Sequence, residues 1–160
     1  MASDLNRGAY SGKETHLYYN SATHASPTWV EIARARNITT TTGPELSDVQ
    51  FHGSDNTSQI PGYSAFNGSF EYVRKRGTDS VYAAIVAAAE AGDIIQLMHL
   101  NGPEDGVGFT GWKAPCVFGQ FDQPANGGDA VVSTIPFSLA DAYDGTETQI
   151  GVEDATSSGV

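Results

Sequence analysis

From Ser64 to Val73 the chain alternates with a period of two. Phe66, Gly68, Phe70 and Tyr72 fall on one side, and Asn67, Ser69 and Glu71 on the other. Wound as a helix, that set would scatter around the axis and bury no coherent face. As a strand it makes one aromatic face and one polar face, so the segment is a half-buried strand whose aromatic side needs a cover. The rest of the chain is punctuated to match. Eighteen glycines and seven prolines in 160 residues, with many Thr, Ser and Asn, favour strands joined by turns over a helical bundle.

Further strands are read at His16 to Asn20, Ile94 to Leu100, Trp112 to Gln120 and Val131 to Leu139. Trp29 to Thr41 is rich in β-branched residues and long enough for a bent strand or a strand pair. Ser21 to Pro27, Asn101 to Gly111 and Gln123 to Asp129 are turn-rich connections. One helix is expected, Ser80 to Ala91. Thr78 or Asp79 can cap its first amides, six alanines between Ala83 and Ala91 favour it, and Gly92 suits its left-handed end. Val81, Ala84, Ile85 and Ala88 form a narrow stripe of small apolar residues, suited to close packing on a sheet. The expected fold is mainly β: an antiparallel β sandwich or barrel of roughly six to eight strands, with one flanking α-helix at about residues 79–91.

Residues 42–62 read as the largest irregular segment, with two Pro, three Gly, three Ser, two Thr and one Asn. Loops of that length are usually functional or disordered. The apolar residues Leu46, Val49, Phe51 and Ile60 scattered in it argue that it docks somewhere. The domain division expected is an N-terminal arm (1–15), a β domain (16–141) and an acidic, partly mobile C-terminal segment (142–160).

All of the net charge of −11 lies after residue 78: seven acids balance seven bases before it, and twelve acids face Lys113 alone after it. A chain built to hold a polyanion would be biased the other way. Met1 to Asn20 lacks a basic start followed by an apolar stretch, which argues against a secretory signal, and no apolar run approaches the about 18 residues needed to span a membrane. Cys116, the single cysteine, sits among apolar neighbours at two-residue spacing and reads as a buried strand thiol in a reducing compartment.

No catalytic constellation stands out. Gly106 to Gly111 has the spacing of a dinucleotide loop, but strand-like residues follow where a helix is required, and Glu104 and Asp105 adjoin it. His16, His24, His52 and His99 show no metal-ligand spacing. The close carboxylates fall in turns or near the C-terminus, Asp122 and Asp129 offer too few oxygens for calcium, and three Asn-X-Ser/Thr triplets read as composition. Arg74-Lys75-Arg76 is the sole basic cluster and lacks interleaved aromatics for stacking on bases. The expectation is a non-enzyme without metal or cofactor.

The order of parts resembles one family. An arm leads to a strand containing Trp29-Val30-Glu31-Ile32, then the long loop, the aromatic strand and the helix. A hairpin follows, then the run Lys113 to Gly119, the Gln123 to Asp129 turn and Val131 to Leu139. This resembles the tail tube (major tail) proteins of long-tailed bacteriophages, over about residues 16–140, in order and texture and without a diagnostic motif. The resemblance implies hexameric rings stacked into a hollow tube that conducts DNA. It also implies other tail proteins at the tube ends, a tape measure protein inside, no membrane, and a place in the virion tail after assembly in the host cytoplasm.

The family's long loop contacts the neighbouring ring. Here Glu45, Leu46, Asp48, Val49, Phe51, His52, Asp55 and Ile60 would fill that role, disordered in the monomer and ordered between rings. Asp93, Glu104, Asp105, Asp122 and Asp129, beside the late strands, are the candidate lumen-facing acids that would let DNA slide rather than bind. The alternatives are another virion β protein, such as a head decoration or tail terminator component, or a small carbohydrate- or ligand-binding β module using Trp29, Trp112 and Tyr63 as stacking platforms.

Overall fold

The computed structural model describes residues 14–53, 55–125 and 130–159, so most of the expected N-terminal arm lies outside the described residues. Along the chain come β1 (His16–Asn20), β2 (Trp29–Glu31), β3 (Ala35–Gln50), β4 (Thr57–Val73), α1 (Ser80–Ala91), β5 (Ile95–Leu100), β6 (Val107–Phe118), β7 (Val132–Leu139), β8 (Ala142–Tyr143), β9 (Gln149–Ile150) and β10 (Glu153–Ser158). The protein is therefore mainly β, antiparallel, with one helix, as the periodicity predicts.

Seven strands run in the order β2-β1-β5-β6-β7-β4-β3, with β10 also paired to β6 and a separate β8–β9 hairpin. The two edges, β2 and β3, are joined by residues 32–34 alone. A link that short reaches at most about 14 Å, so the sheet curls until its edges approach. Ile32 fixes the turn: it is buried, and its amide donates to the Leu17 carbonyl at 2.7 Å. Curling places Leu17 and Leu97 from one half of the sheet in the same core as Phe70, Tyr72, Ile135 and Phe137 from the other.

Strand β6 is where the sheet changes partners. One of its edges pairs with β5 over Gly111 to Cys116; its other edge pairs first with β10 and then, from Cys116 to Phe118, with β7. Helix α1 closes the core with Tyr82, Ile85 and Ala88. Its ends are those expected, Asp79 as N-cap and Gly92 in the left-handed region at φ 71°. The stripe of small residues omits Tyr82, whose ring stacks on Tyr72 at 5.2 Å.

Two expectations are corrected. Residues 42–62 are not an irregular loop: β3 and β4 pair from Ala35↔Tyr72 to Gln50↔Thr57, leaving only residues 51–56 as a tip. Backbone ladders need no apolar side chains, and Leu46, Val49, Phe51 and Ile60 follow no simple period, so the pairing was masked. Pro44 lies on edge strand β3, where its missing N–H costs the sheet nothing, and the register shift between Pro44 and Leu46 is a bulge. Of the two readings of Trp29 to Thr41, the strand pair is the one observed: β2 and β3 are separated by residues 32–34.

Finally, the acidic C-terminal segment carries three strands, β8, β9 and β10. β10 lies against β6 with Ala155 and Ser157 buried. Small inward residues leave little apolar pattern there, which is why the segment reads from sequence as acidic and partly mobile. The Gly106–Gly111 run is likewise part of the β5–β6 turn and strand β6, with no helix following it.

Candidate self-assembly surface

Strand β4 pairs with β7 only from Asn67 to Val73. Beyond Phe66 and its partner Thr42, β3 and β4 have only each other, so residues 43–65 form a two-stranded ribbon standing off the curled sheet. Its side chains are exposed from Glu45 to Asp48 and again from Asp55 to Ser64. Leu46 is 58% exposed and Tyr63 95%, with Phe51 and Ile60 close to half. The register distributes them. Leu46 lies opposite Pro61 on one face, whereas Ser47 pairs with Ile60 and Val49 with Ser58 on the other. Apolar groups thus face water on both sides of a ribbon too thin to have a core. A ribbon of this kind is marginal alone and gains by being covered on both faces.

All eight ribbon residues named from sequence lie here or at the tip, and Gln59 Nε2 donates to Asp48 Oδ1 at 3.0 Å across the strands. Pro61 and Tyr63 were missed as ribbon residues. Tyr63 precedes the clean alternation of Ser64 to Val73, and only the register reveals it as part of the same strand.

The candidate acids are not gathered. Asp93 follows α1, its amide donating to the Ala88 carbonyl at 3.0 Å. With Asp122, which follows β6, it sits at the end of the β5–β6 pair where Ile95 meets Cys116. Glu104 and Asp105 occupy the turn at the opposite end, the six-residue length of β5 away, or about 20 Å. Burial and then neighbouring Asp105 push the Glu104 carboxyl above its ordinary range, and its backbone amide donates to the Tyr18 hydroxyl at 3.0 Å. Asp129 lies outside the described residues.

The bases, by contrast, converge. Arg34, Arg36, Arg74, Lys75 and Arg76 all lie where β3 begins and β4 ends. Arg34 Nε donates to the Val73 carbonyl at 2.6 Å, Arg36 pairs with Glu71 at 2.9 Å, and the Arg74 guanidinium sits 4.6 Å above the centre of the Tyr82 ring.

No protein-family model and no curated protein sequence matches the chain. Solved structures do. A chain of the SPP1 tail tube superposes with a TM-score of 0.66 at 17% identity, covering 92% of this chain and 80% of that one. A chain from the tail of an empty gene transfer agent particle, refined helically with C6 symmetry, gives 0.62 at 17% identity over 84% and 96%. One from the sheath–tube complex of an extracellular contractile injection system (PVC) gives 0.63 at 8% identity over 97% and 99%. The chain has the fold of a tail tube subunit.

Within this tail tube fold the aromatic side chains do not build a ligand platform. Trp112 packs edge-on against Phe66 at 5.0 Å, Trp29 packs on the cluster of Tyr18, Met98, Leu100 and Ala155, and Tyr63 stands alone on the ribbon. Cys116 is fully buried, and burial pushes its thiol up to about 12. Burial, then His16, lowers the affinity of His99 for a proton. A groove of about 1100 Å³ opens between α1 and residues 119–124, lined by Phe118, Val132 and Pro136 and by Glu90 and Asp122. It brings together no nucleophile and base.

Proposed function

We propose that the protein is a structural subunit of a tail-type tube, assembling as hexameric rings that stack into a hollow conduit for DNA. The observation that carries this is the projecting ribbon with apolar residues on both faces, on a sheet of tail tube fold. A free monomer gains nothing from exposing Leu46, Phe51, Ile60 and Tyr63. A subunit whose ribbon inserts between neighbours buries both faces in one step, and a head-to-tail contact repeated around a ring and along an axis supplies such neighbours. The C6 symmetry of the gene transfer agent tail supports six subunits per ring.

In this reading the ribbon is the contact between rings, with Glu45, Leu46, Asp48, Val49, Phe51, His52, Asp55 and Ile60 at the joint. Asp93, Glu104, Asp105, Asp122 and Asp129 are assigned to the lumen. Because the first and fourth of these lie at one end of β5 and β6 and the second and third at the other, they would form two acidic belts at different heights. Either belt repels a phosphate backbone that lysines would retain through counterion release. Proteins at the tube ends, a tape measure protein inside and a place in the virion tail follow from the same assignment.

Negative-stain microscopy of the concentrated, purified protein tests it. Tubes of constant width with sixfold end views are expected. A persistent monomer would overturn the proposal, and rings that never stack would point to a tube-end component instead.

A further inference from the structure

The paired strands β3 and β4 carry opposite charge at their two ends. Between residues 37 and 70 the sequence has no Lys or Arg, and its acids are Glu45, Asp48 and Asp55, all on the ribbon or its tip. At the other end Arg34, Arg36, Arg74, Lys75 and Arg76 face only Glu71 and Asp79 from the same strands and turn, and Glu71 is taken up by Arg36 and Asn37. Among the described residues Lys113 is the one Lys or Arg outside this corner, and it lies 3.8 Å from Glu153.

The two ends cannot meet within one molecule. β4 is 17 residues long, or roughly 55 Å at about 3.3 Å per residue, and its pairing with β3 keeps it extended. Among the described residues no Lys or Arg of the same molecule reaches the acidic ribbon, so the described counter-charge for it lies on another molecule. The large groove beside α1 is a poor seat for the ribbon, because Glu90 and Asp122 line it.

We propose that the ribbon of one copy docks on the basic corner of a second copy, and that this pairing gives the stack its head-to-tail direction. The inference rests on the tube reading above and names where the ribbon goes. Arg34 and Arg74 are already held by the Val73 carbonyl and the Tyr82 ring, so their charge is fixed in place, while Lys75 and Arg76 are exposed to reach a carboxylate. Charge pairing of this sort chooses the partner end and speeds encounter, while the apolar ribbon faces supply contact area. Like charges brought together in the reversed stacking disfavour it.

The test uses two exposed double reversals, Glu45→Lys/Asp55→Lys and Lys75→Glu/Arg76→Glu, in the full chain, with circular dichroism as the folding control. Each variant alone is expected to raise the concentration needed for tubes by roughly tenfold or more. Mixing the two variants, or combining all four substitutions in one chain, is expected to restore tubes, because each ribbon again meets an opposite corner. Tubes from either variant alone at the wild-type concentration overturn the inference and leave the tube reading standing. So does loss of tubes that neither mixing nor combination restores. Loss confined to the corner variant, with retained polyanion binding in the wild type, assigns the corner to nucleic acid and equally overturns it. Wild-type protein that forms no tube at any concentration overturns both.

Discussion

The Tyr72 hydroxyl donates to the Asp79 carboxylate, 2.8 Å from one oxygen and 2.9 Å from the other. Tyr72 is a fully buried residue of β4, and Asp79 is the N-cap of α1, accepting from the Tyr82 amide at 3.2 Å. The bond thus ties the only described helix to the strand that leads into the ribbon. Burial by itself would raise the Asp79 carboxyl. Hydrogen bonds from the Tyr72 hydroxyl and the Tyr82 and Lys75 amides outweigh it and hold the group below its ordinary 3.8. Burial first, then the bond to Asp79, raises Tyr72.

Tyr72→Phe is expected to destabilise the fold by about 2 kcal/mol, and Asp79→Ala by about as much through loss of the cap and a stranded hydroxyl. Urea unfolding at pH 7 measures both. The two together should cost less than the sum, since they remove one interaction.

The same pair gives stability a defined pH dependence. Asp79 is depressed when folded, so its contribution is complete above about pH 4 and falls away as pH drops through the folded value. Tyr72 is raised, so its contribution is complete below pH 10 and is lost as pH rises beyond. Melting curves should show both limbs in the wild type and shallower limbs in Tyr72→Phe.

Gly68 pairs with Thr40, just past the register shift between Arg36 and Thr39. A Cβ there would lie 2.1 Å from the Thr39 carbonyl oxygen and 2.7 Å from Phe137 Cζ. Neither backbone nor a packed core ring can yield that much. Gly68→Ala is expected to cost about 3 kcal/mol, read as a lower urea midpoint with an unchanged slope.

Cys116 tests the closed core directly. With its thiol fully buried and raised to about 12, it should resist alkylation at pH 8 in the folded protein and react at the ordinary rate in urea. Rapid labelling of native protein would show that β6 opens.

Sequence made some of this legible and concealed the rest for physical reasons. The aromatic period of Phe66, Phe70 and Tyr72 announced β4, and Asp79, the alanines and Gly92 marked both ends of α1, because local chemistry alone decides those features. The ribbon was hidden because its strands have nothing to pack on. Ladder hydrogen bonds leave no trace in side-chain pattern, and Gly43, Pro44 and Gly62 read as loop. Ala155 and Ser157 hid β10 in the same way, being small enough to be buried without looking apolar. The charge balance of −11 was visible as a number, but the convergence of Arg34 and Arg36 with Arg74 to Arg76 required the pairing of Arg36 with Glu71 across two strands.

The most direct measurement of the central claim compares wild-type protein with a chain in which residues 45–62, most of the ribbon, are replaced by an Asn-Gly turn, using sedimentation and electron microscopy at equal concentration. The curled sheet, with Leu17, Phe70 and Phe137 at its centre, does not depend on the ribbon, so both chains should fold. Wild type is expected to sediment as tubes and the shortened chain as monomers or single rings. Tubes of unchanged length and width from the shortened chain would contradict the account.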